Sequence, residues 1–181
     1  MPAMIRIALG AVLFLAFVAP GLATPVKPKS DGVLTAVMAG EFALQAGQLP
    51  EASRWYLQAA QASDDAGLAE RATRIALLAN DDTQATQALK LWRQRAPQSL
   101  AMRAAEAALA LRKSDARAAR RELGALLRDQ DEMGWRYALT VLGSGGRDPK
   151  LSARLLGEFV DAGAIPGNLQ AWLAFGGLAQ S

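Results

Sequence analysis

The feature that most constrains the fold is a run of short helical segments separated by turns of only a few residues. Apolar residues recur every three or four positions along each segment, which is the spacing of one face of an α-helix. The segments are residues 34–46, 50–62, 68–79, 83–95, 100–113 and 116–128. Short turns place consecutive helices side by side and antiparallel. No segment alternates like a strand, so the sequence predicts an all-α fold of antiparallel helical hairpins.

The composition favours helices and excludes several kinds of chemistry. Hydrophobic residues, many of them alanine, make up 51% of the chain, and aromatic residues only 6%, a balance that favours helix over sheet. The 181 residues include no cysteine and no histidine, which excludes disulfides, Cys/His metal sites and Ser-His-Asp triads. The net charge is only +3, whereas nucleic-acid-binding proteins usually concentrate basic residues. We therefore expect no enzymatic activity, no metal, no cofactor and no nucleic-acid partner.

Residues 1–23 have the layout of a secretory signal peptide. Arg6 precedes an apolar run over residues 7–18, Pro20 interrupts it, and small residues follow up to Ala23, as signal peptides require. The apolar run is shorter than the ~20 residues of a membrane-spanning helix. The sequence predicts cleavage after Ala23 and a periplasmic or otherwise exported protein. The alternative is an uncleaved segment that anchors the chain to the membrane, and lipidation at this site would need a cysteine.

Three parts follow the signal-like segment. Residues 24–32 contain prolines and Ser-Asp-Gly, which predicts a linker, and Asp31 is a candidate cap for the next helix. Residues 33–132 contain the six regular segments and form three predicted hairpins. Residues 133–181 contain further helical segments and either continue the stack as a degenerate repeat or cap it. A cap should have a polar outer face, whereas the last segment is apolar nearly all round.

The first hairpin carries small and aromatic residues at the positions of a known repeat. Counted from Val33, Gly40 is the eighth residue, Ala52 the twentieth and Tyr56 the twenty-fourth. This pattern resembles a tetratricopeptide repeat, whose period is about 34 residues. Ala36 departs from it, because the repeat has a large residue there. The resemblance implies that the three hairpins stack as a short right-handed solenoid.

The Trp55-Tyr56 pair admits two interpretations. An aromatic pair can form a platform for a ligand, or it can fill the space between two hairpins. Small residues at Ala52, Ala59 and Ala60 permit close helix packing, and a large side chain then fills the remaining gap. We therefore expect Tyr56 to be a wedge between one hairpin and the next, with Trp55 packed against a neighbouring loop.

A longer stretch, residues 35–180, resembles bacterial periplasmic tetratricopeptide adaptors that partner carboxyl-terminal processing proteases. The resemblance depends on the sequence AERATRIAL at residues 69–77, on Leu-Trp before Pro97, and on the tail at residues 169–179. It implies an exported scaffold or adaptor that binds a protein or peptide, in cell-envelope proteolysis or assembly. Such adaptors are longer and lipidated. Two alternatives stay open: a truncated remnant of a longer solenoid, and an accessory to a cell-wall hydrolase.

The resemblance also implies a binding surface, because the first helix of each tetratricopeptide hairpin lines a concave groove. The residues at the corresponding positions are Leu34, Val37, Glu41, Leu44, Gln45, Glu70, Arg74, Leu77, Leu78, Ala104, Ala108, Leu111 and Arg112. A groove of this kind can hold an extended or helical peptide. We expect the partner to pack on the leucines, while Glu70, Arg74 and Arg112 set its orientation.

Other polar motifs have simpler explanations. The glycine-rich stretch at residues 142–150 lacks the preceding strand and the Gly-Lys-Ser/Thr of a phosphate loop, which favours a plain turn. The aspartate pairs at residues 64–65 and 81–82 stand at helix starts, where carboxylates cap. We interpret the basic cluster at Arg117, Arg120 and Arg121 as a solvated helix face.

Overall fold

The computed structural model describes residues 29–144 and 147–179, and this part of the chain contains nine α-helices and no strand. The all-α prediction is therefore confirmed. The helices are α1 Lys29–Gln45, α2 Leu49–Gln61, α3 Ala66–Leu78, α4 Asp82–Arg95, α5 Leu100–Arg112, α6 Ala116–Leu127, α7 Glu132–Gly143, α8 Pro149–Asp161 and α9 Leu169–Ala179.

The start of α1 differs from the predicted end of the linker. Helix α1 begins at Lys29, so the last residues of the predicted linker 24–32 are helical. Asp31 lies inside this helix, where its backbone carbonyl accepts a hydrogen bond from the Thr35 hydroxyl at 2.7 Å, instead of capping a later start. The predicted signal peptide and its cleavage site after Ala23 lie outside the described residues.

The helices pack in consecutive pairs that form a stack. Helices α1 and α2, α3 and α4, and α5 and α6 pack along their lengths, and α2 also packs against α3. First helices of successive pairs contact each other as well, α5 with α7 and α7 with α9. This arrangement is an all-α helical repeat in which each hairpin is covered by its neighbours in the chain.

The turn within a hairpin is the same in the first three pairs. Gly47, Asn80 and Ser114 all have a positive φ, of 71°, 59° and 55°, and their numbers place them 33 and then 34 residues apart. In each case the next residue donates its backbone N–H to the carbonyl five residues before it. These bonds are Gln48 to Ala43 at 2.8 Å, Asp81 to Ala76 at 2.9 Å and Asp115 to Ala110 at 2.9 Å. A left-handed residue with this bond is a common helix ending, so one local conformation turns the chain three times.

The second helices bury equivalent positions. Three rows of residues, spaced 33 or 34 apart, run through α2, α4, α6 and α8, and every member is buried. The rows are Ala52, Ala85, Ala119 and Ser152; Tyr56, Leu89, Leu123 and Leu156; and Ala59, Trp92, Leu126 and Phe159. Helix α8 therefore continues the repeat that the sequence shows most clearly in the first three hairpins.

Two apolar cores meet at α5. The first core joins residues of α1–α5, including Tyr56 and Ile75, and the second joins residues of α5–α9, including Leu155 and Phe175. Helix α5 contributes Leu109 to the first core and other residues to the second. This helix therefore connects the two halves of the stack.

Candidate functional site

Tyr56 joins three helices at the junction of the first two hairpins. Its side chain is fully buried, and its hydroxyl donates a hydrogen bond to the Glu41 carboxylate, which also pairs with Arg71. The Arg71 guanidinium lies 4.9 Å from the centre of the Tyr56 ring. Gly40 makes this position possible, because a Cβ there would lie 2.7 Å from ring carbons of Tyr56. The geometry agrees with the wedge interpretation, and Trp55 is half-buried beside it.

This environment changes the acidity of Tyr56. Burial, followed by the hydrogen bond to Glu41, raises the pKa of the Tyr56 hydroxyl from 10.0 to about 12. The neighbouring Arg71 charge opposes this rise. At neutral pH the hydroxyl is therefore protonated and acts as a hydrogen-bond donor, not as a base.

On α1, the predicted groove residues have different surroundings. Glu41 is held by Tyr56 and Arg71, as described above. Val37 is half-buried, and Leu34 and Gln45 are exposed, while Leu44 packs against the first core. Of these side chains, Glu41 has an evident structural task.

Helix α3 carries the most accessible charged pair among the predicted groove residues. Arg74 Nη2 lies 2.5 Å from Glu70 Oε1, one helical turn away, and the Arg74 side chain is 61% exposed. Leu78, one turn further along, is also exposed, and Leu77 is half-buried. The pair lies within one helix and connects no other element, so it is free to meet a partner.

Helix α5 contributes small residues and one occupied arginine. Ala104 and Leu111 are buried and Ala108 is half-buried. The Arg112 side chain is only 16% exposed, and its Nε lies 2.7 Å from Asp82 Oδ1. Arg112 therefore ties α5 to the start of α4, a connection that the sequence did not predict.

Arg136 on α7 is a further candidate that the sequence analysis missed. Glu70, Ala104 and Arg136 are each the fifth residue after the N-cap of their helix, which is Asp65, Ser99 and Asp131 respectively. Arg136 is exposed, lies 4.8 Å from the centre of the Trp135 ring and reaches Gln170 on α9 at 3.5 Å. Counting from Asp131 would have found it, had residues 133–181 been treated as a further repeat.

We call the surface marked by Glu70, Arg74, Ala104, Ala108 and Arg136 the open face. Charged side chains mark it on α3 and α7, and small side chains lie between them on α5. Small residues leave room for side chains of a bound segment, and the flanking charges can orient that segment. The open face can therefore bind a peptide, and none of its residues forms a nucleophile and base pair.

A cavity of about 490 Å³ lies between α4, α5 and α6, and two buried glutamates line it. Both carboxylates have partners: Glu106 pairs with Arg93, and Glu122 pairs with Arg121 at 2.8 Å and Arg103 at 3.5 Å. These pairs compensate the buried charges. They give the cavity a structural explanation without a ligand.

The predicted basic cluster on α6 is partly engaged in ion pairs. Arg120 lies 2.6 Å from Glu158 of α8, and Arg121 pairs with Glu122, while Arg117 is exposed. The first of these pairs connects two second helices. Of the predicted caps, Asp65 and Asp81 do accept backbone N–H groups at the starts of α3 and α4.

Two structural searches and three comparisons with known proteins complete the description of the site. Within residues 29–144 and 147–179, no cluster of acidic residues is close enough to hold a metal ion. In the same residues, no helix combines the length and apolar character needed to span a membrane. No protein-family model matches the chain, and no curated protein or solved structure is significantly similar to it.

Proposed function

We propose that this protein is an exported tetratricopeptide-like scaffold that binds a segment of a partner protein on its open face. The observation that carries the proposal is the exposed Glu70–Arg74 pair beside the small residues of α5. Polar side chains that support no other element are available for binding, unlike Glu41 and Arg112, which hold helices together.

The chemistry of the open face favours a peptide with small apolar side chains and at least one carboxylate. Ala104 and Ala108 leave space for small apolar groups, and Arg74 and Arg136 stand on the helices before and after them. An arginine can accept a carboxylate through two parallel hydrogen bonds. Glu70 lies beside Arg74 and would repel an acidic residue placed in the wrong register.

The adaptor role follows from the resemblance of residues 35–180 to periplasmic adaptors. A protein of this kind brings a substrate to an enzyme and carries out no chemistry itself. The lack of histidine and cysteine is compatible with that division of labour. In this proposal residues 1–23 direct export and are removed after Ala23, and the partner belongs to cell-envelope proteolysis or assembly.

The experiment compares two matched arginine variants in pull-downs from periplasmic extract. Arg74→Glu changes the open face. Arg54→Glu on α2 is the control, since Arg54 is 65% exposed and also pairs with a glutamate of its own helix, Glu51. We expect Arg74→Glu to lower the amount of captured partner at least about tenfold, equivalent to ~1.4 kcal/mol, and Arg54→Glu to leave it unchanged.

The proposal fails if both variants capture the same proteins in the same amounts as the unchanged chain. It also fails if both lose them equally, because a general change in surface charge would then explain the binding. Mass spectrometry of the captured proteins identifies the partner, and a synthetic peptide from it allows the affinity for each variant to be measured directly.

A further inference from the structure

The two ends of the stack expose faces whose equivalents are buried inside it. On α1, Leu34, Met38 and Phe42 occupy the repeat positions of Gly67, Arg71 and Ile75 on α3 and of Ala101, Ala105 and Leu109 on α5. Ile75 and Leu109 are buried in the first core, and Arg71 contacts Glu41 of the preceding hairpin. This is therefore the side by which a first helix packs against the hairpin before it.

On α1 that side is open in the described part of the chain. Leu34, Met38 and Phe42 are 61%, 50% and 62% exposed. They are four residues apart and form one apolar stripe along the helix. We call these three residues the front stripe.

The opposite end of the stack exposes a second apolar surface. Helix α9 buries Ala171 and Phe175 against the preceding hairpin, where the Phe175 and Trp135 rings lie 6.5 Å apart. Its other side exposes Leu169, Trp172 and Leu173, of which Leu169 and Leu173 are 73% and 68% exposed. We call these three residues the rear surface.

Helix α8 shows that the repeat leaves room at this end. Gly124 and Leu127 of α6 are buried, and a Cβ on Gly124 would lie 3.6 Å from Phe159 of α8. The equivalent residues of α8, 33 positions later, are Gly157 and Val160. Both are exposed, and a Cβ on Gly157 would meet no atom within 4 Å. A cavity of about 510 Å³ lies here between α7, α8 and the end of α9.

We propose that a second copy of this chain packs its front stripe against the rear surface, so that copies associate head to tail. Both surfaces are apolar, and burying them removes apolar area from water. The front stripe occupies positions that are buried against the preceding hairpin in α3 and α5, so the contact between copies repeats a contact made inside one copy. Stacks of repeats usually have polar end faces, and neither surface described here is polar.

The contact is heterologous, because one copy contributes its front stripe and the other its rear surface. A heterologous contact leaves a free front stripe at one end of each pair and a free rear surface at the other. Assemblies then grow beyond two copies unless the rotation closes a ring.

The experiment uses two purified full-length variants, Phe42→Glu in the front stripe and Leu173→Glu in the rear surface. Sedimentation velocity is measured for the unchanged chain, for each variant and for their equimolar mixture. Gln87→Glu, an exposed position on α4, is the control for added charge. Circular dichroism checks that each variant is helical.

We expect the unchanged chain and Gln87→Glu to form assemblies that grow with concentration, and each single variant to be monomeric. The mixture should form a two-chain species and nothing larger, because it contains one intact front stripe and one intact rear surface for each productive pair. A contact between two front stripes would instead leave Leu173→Glu dimeric and would overturn the proposal. A monomeric unchanged chain would also overturn it, as when residues 1–28 cover the front stripe.

Discussion

Tyr56 illustrates how one side chain fixes the junction between two hairpins. It needs Gly40 beneath its ring, Glu41 at its hydroxyl and Arg71 over its face. Gly40 and Glu41 belong to α1 and Arg71 to α3, so the cluster spans both hairpins. Loss of any member would leave a buried group without its partner, which is costlier than removing the whole set.

The raised pKa of Tyr56 predicts a loss of stability at high pH. The folded state binds the phenolic proton more tightly than the unfolded chain, in which tyrosine has a pKa of about 10. This stabilisation is complete below about pH 10 and is lost as the pH approaches the folded value of about 12. Relative to Tyr56→Phe, the unchanged protein should therefore become less stable across this interval.

Absorbance at 295 nm measures the same property directly. The chain contains two tyrosines, so a Tyr137→Phe variant reports Tyr56 alone. Its ionisation should be delayed to about pH 12 while the protein is folded. A midpoint near pH 10 in folded protein would contradict the buried hydrogen bond to Glu41.

Gly134 provides a second prediction at the scale of one residue. A Cβ at this position would lie 2.3 Å from the Leu126 carbonyl oxygen, so Gly134→Ala should push α7 away from α6. We expect a loss of about 1–3 kcal/mol in the free energy of unfolding by urea. Gly157→Ala on α8 meets no neighbouring atom and should instead gain about 0.5–1 kcal/mol as a better helix former. Equal effects of the two substitutions would contradict this explanation.

At the scale of a helix, the starts of the second helices differ in one respect. Asp81 and Asp115 cap α4 and α6 with side-chain oxygens, while Gln48, at the equivalent position of α2, makes no such bond. Asp81→Ala should lower the free energy of unfolding by ~1 kcal/mol, and Gln48→Asp should raise it by roughly 0.5–1 kcal/mol. Urea unfolding measures both. A neutral Gln48→Asp would show that the backbone of α2 cannot accept the cap.

The cap on α4 should also depend on pH. The backbone N–H of Gln84 is the main cause of the lowered pKa of the Asp81 carboxyl, with further hydrogen bonds from the Gln84 side chain and Thr83. Its stabilising effect is therefore present above the unfolded value of 3.8 and lost as the pH falls through the lower folded value. The stability difference between the unchanged protein and Asp81→Asn should shrink in acid. A constant difference down to pH 2 would argue against an ionised cap.

At the scale of the whole molecule, the two cores predict unequal responses to mutation. Ile75 belongs to the first core and Leu155 to the second, and both are buried. Each change to alanine should cost about 2–5 kcal/mol. Because repeat stacks transmit stability mainly between neighbours, Ile75→Ala should speed amide hydrogen exchange mostly in α1–α4, and Leu155→Ala mostly in α6–α9. Equal acceleration throughout would mean that α5 couples the halves into one unit.

Several elements of the fold were accessible from the sequence because their causes are local. Helix segments, turns and the caps at Asp65 and Asp81 depend on residues within a few positions of each other. The spacing of small residues predicted which helix faces pack closely, and Ala52 and Ala119 are indeed fully buried. The fourth second helix, α8, was less evident, since Ser152 and Phe159 preserve the size pattern of its row only approximately.

The candidate site was less accessible, because its members are far apart in the chain. Sequence position placed Glu41 and Arg112 among the groove residues together with Arg74. Only their neighbours in space distinguish them: Arg112 meets Asp82, which lies 30 residues away, whereas Arg74 pairs within its own helix. Which charges are occupied depends on distances between helices, and no local pattern encodes those distances.

The sequence by itself determined that this chain forms short helices, where they begin and end, and which of their faces are apolar. These properties arise from backbone conformation and side-chain spacing over one or two helical turns. Only the tertiary structure decided which apolar faces are covered and which charges are paired. Burial is a property of neighbours: Ile75 and Phe42 occupy equivalent repeat positions, yet Ile75 is buried and Phe42 is exposed, because only α3 has a described hairpin in front of it.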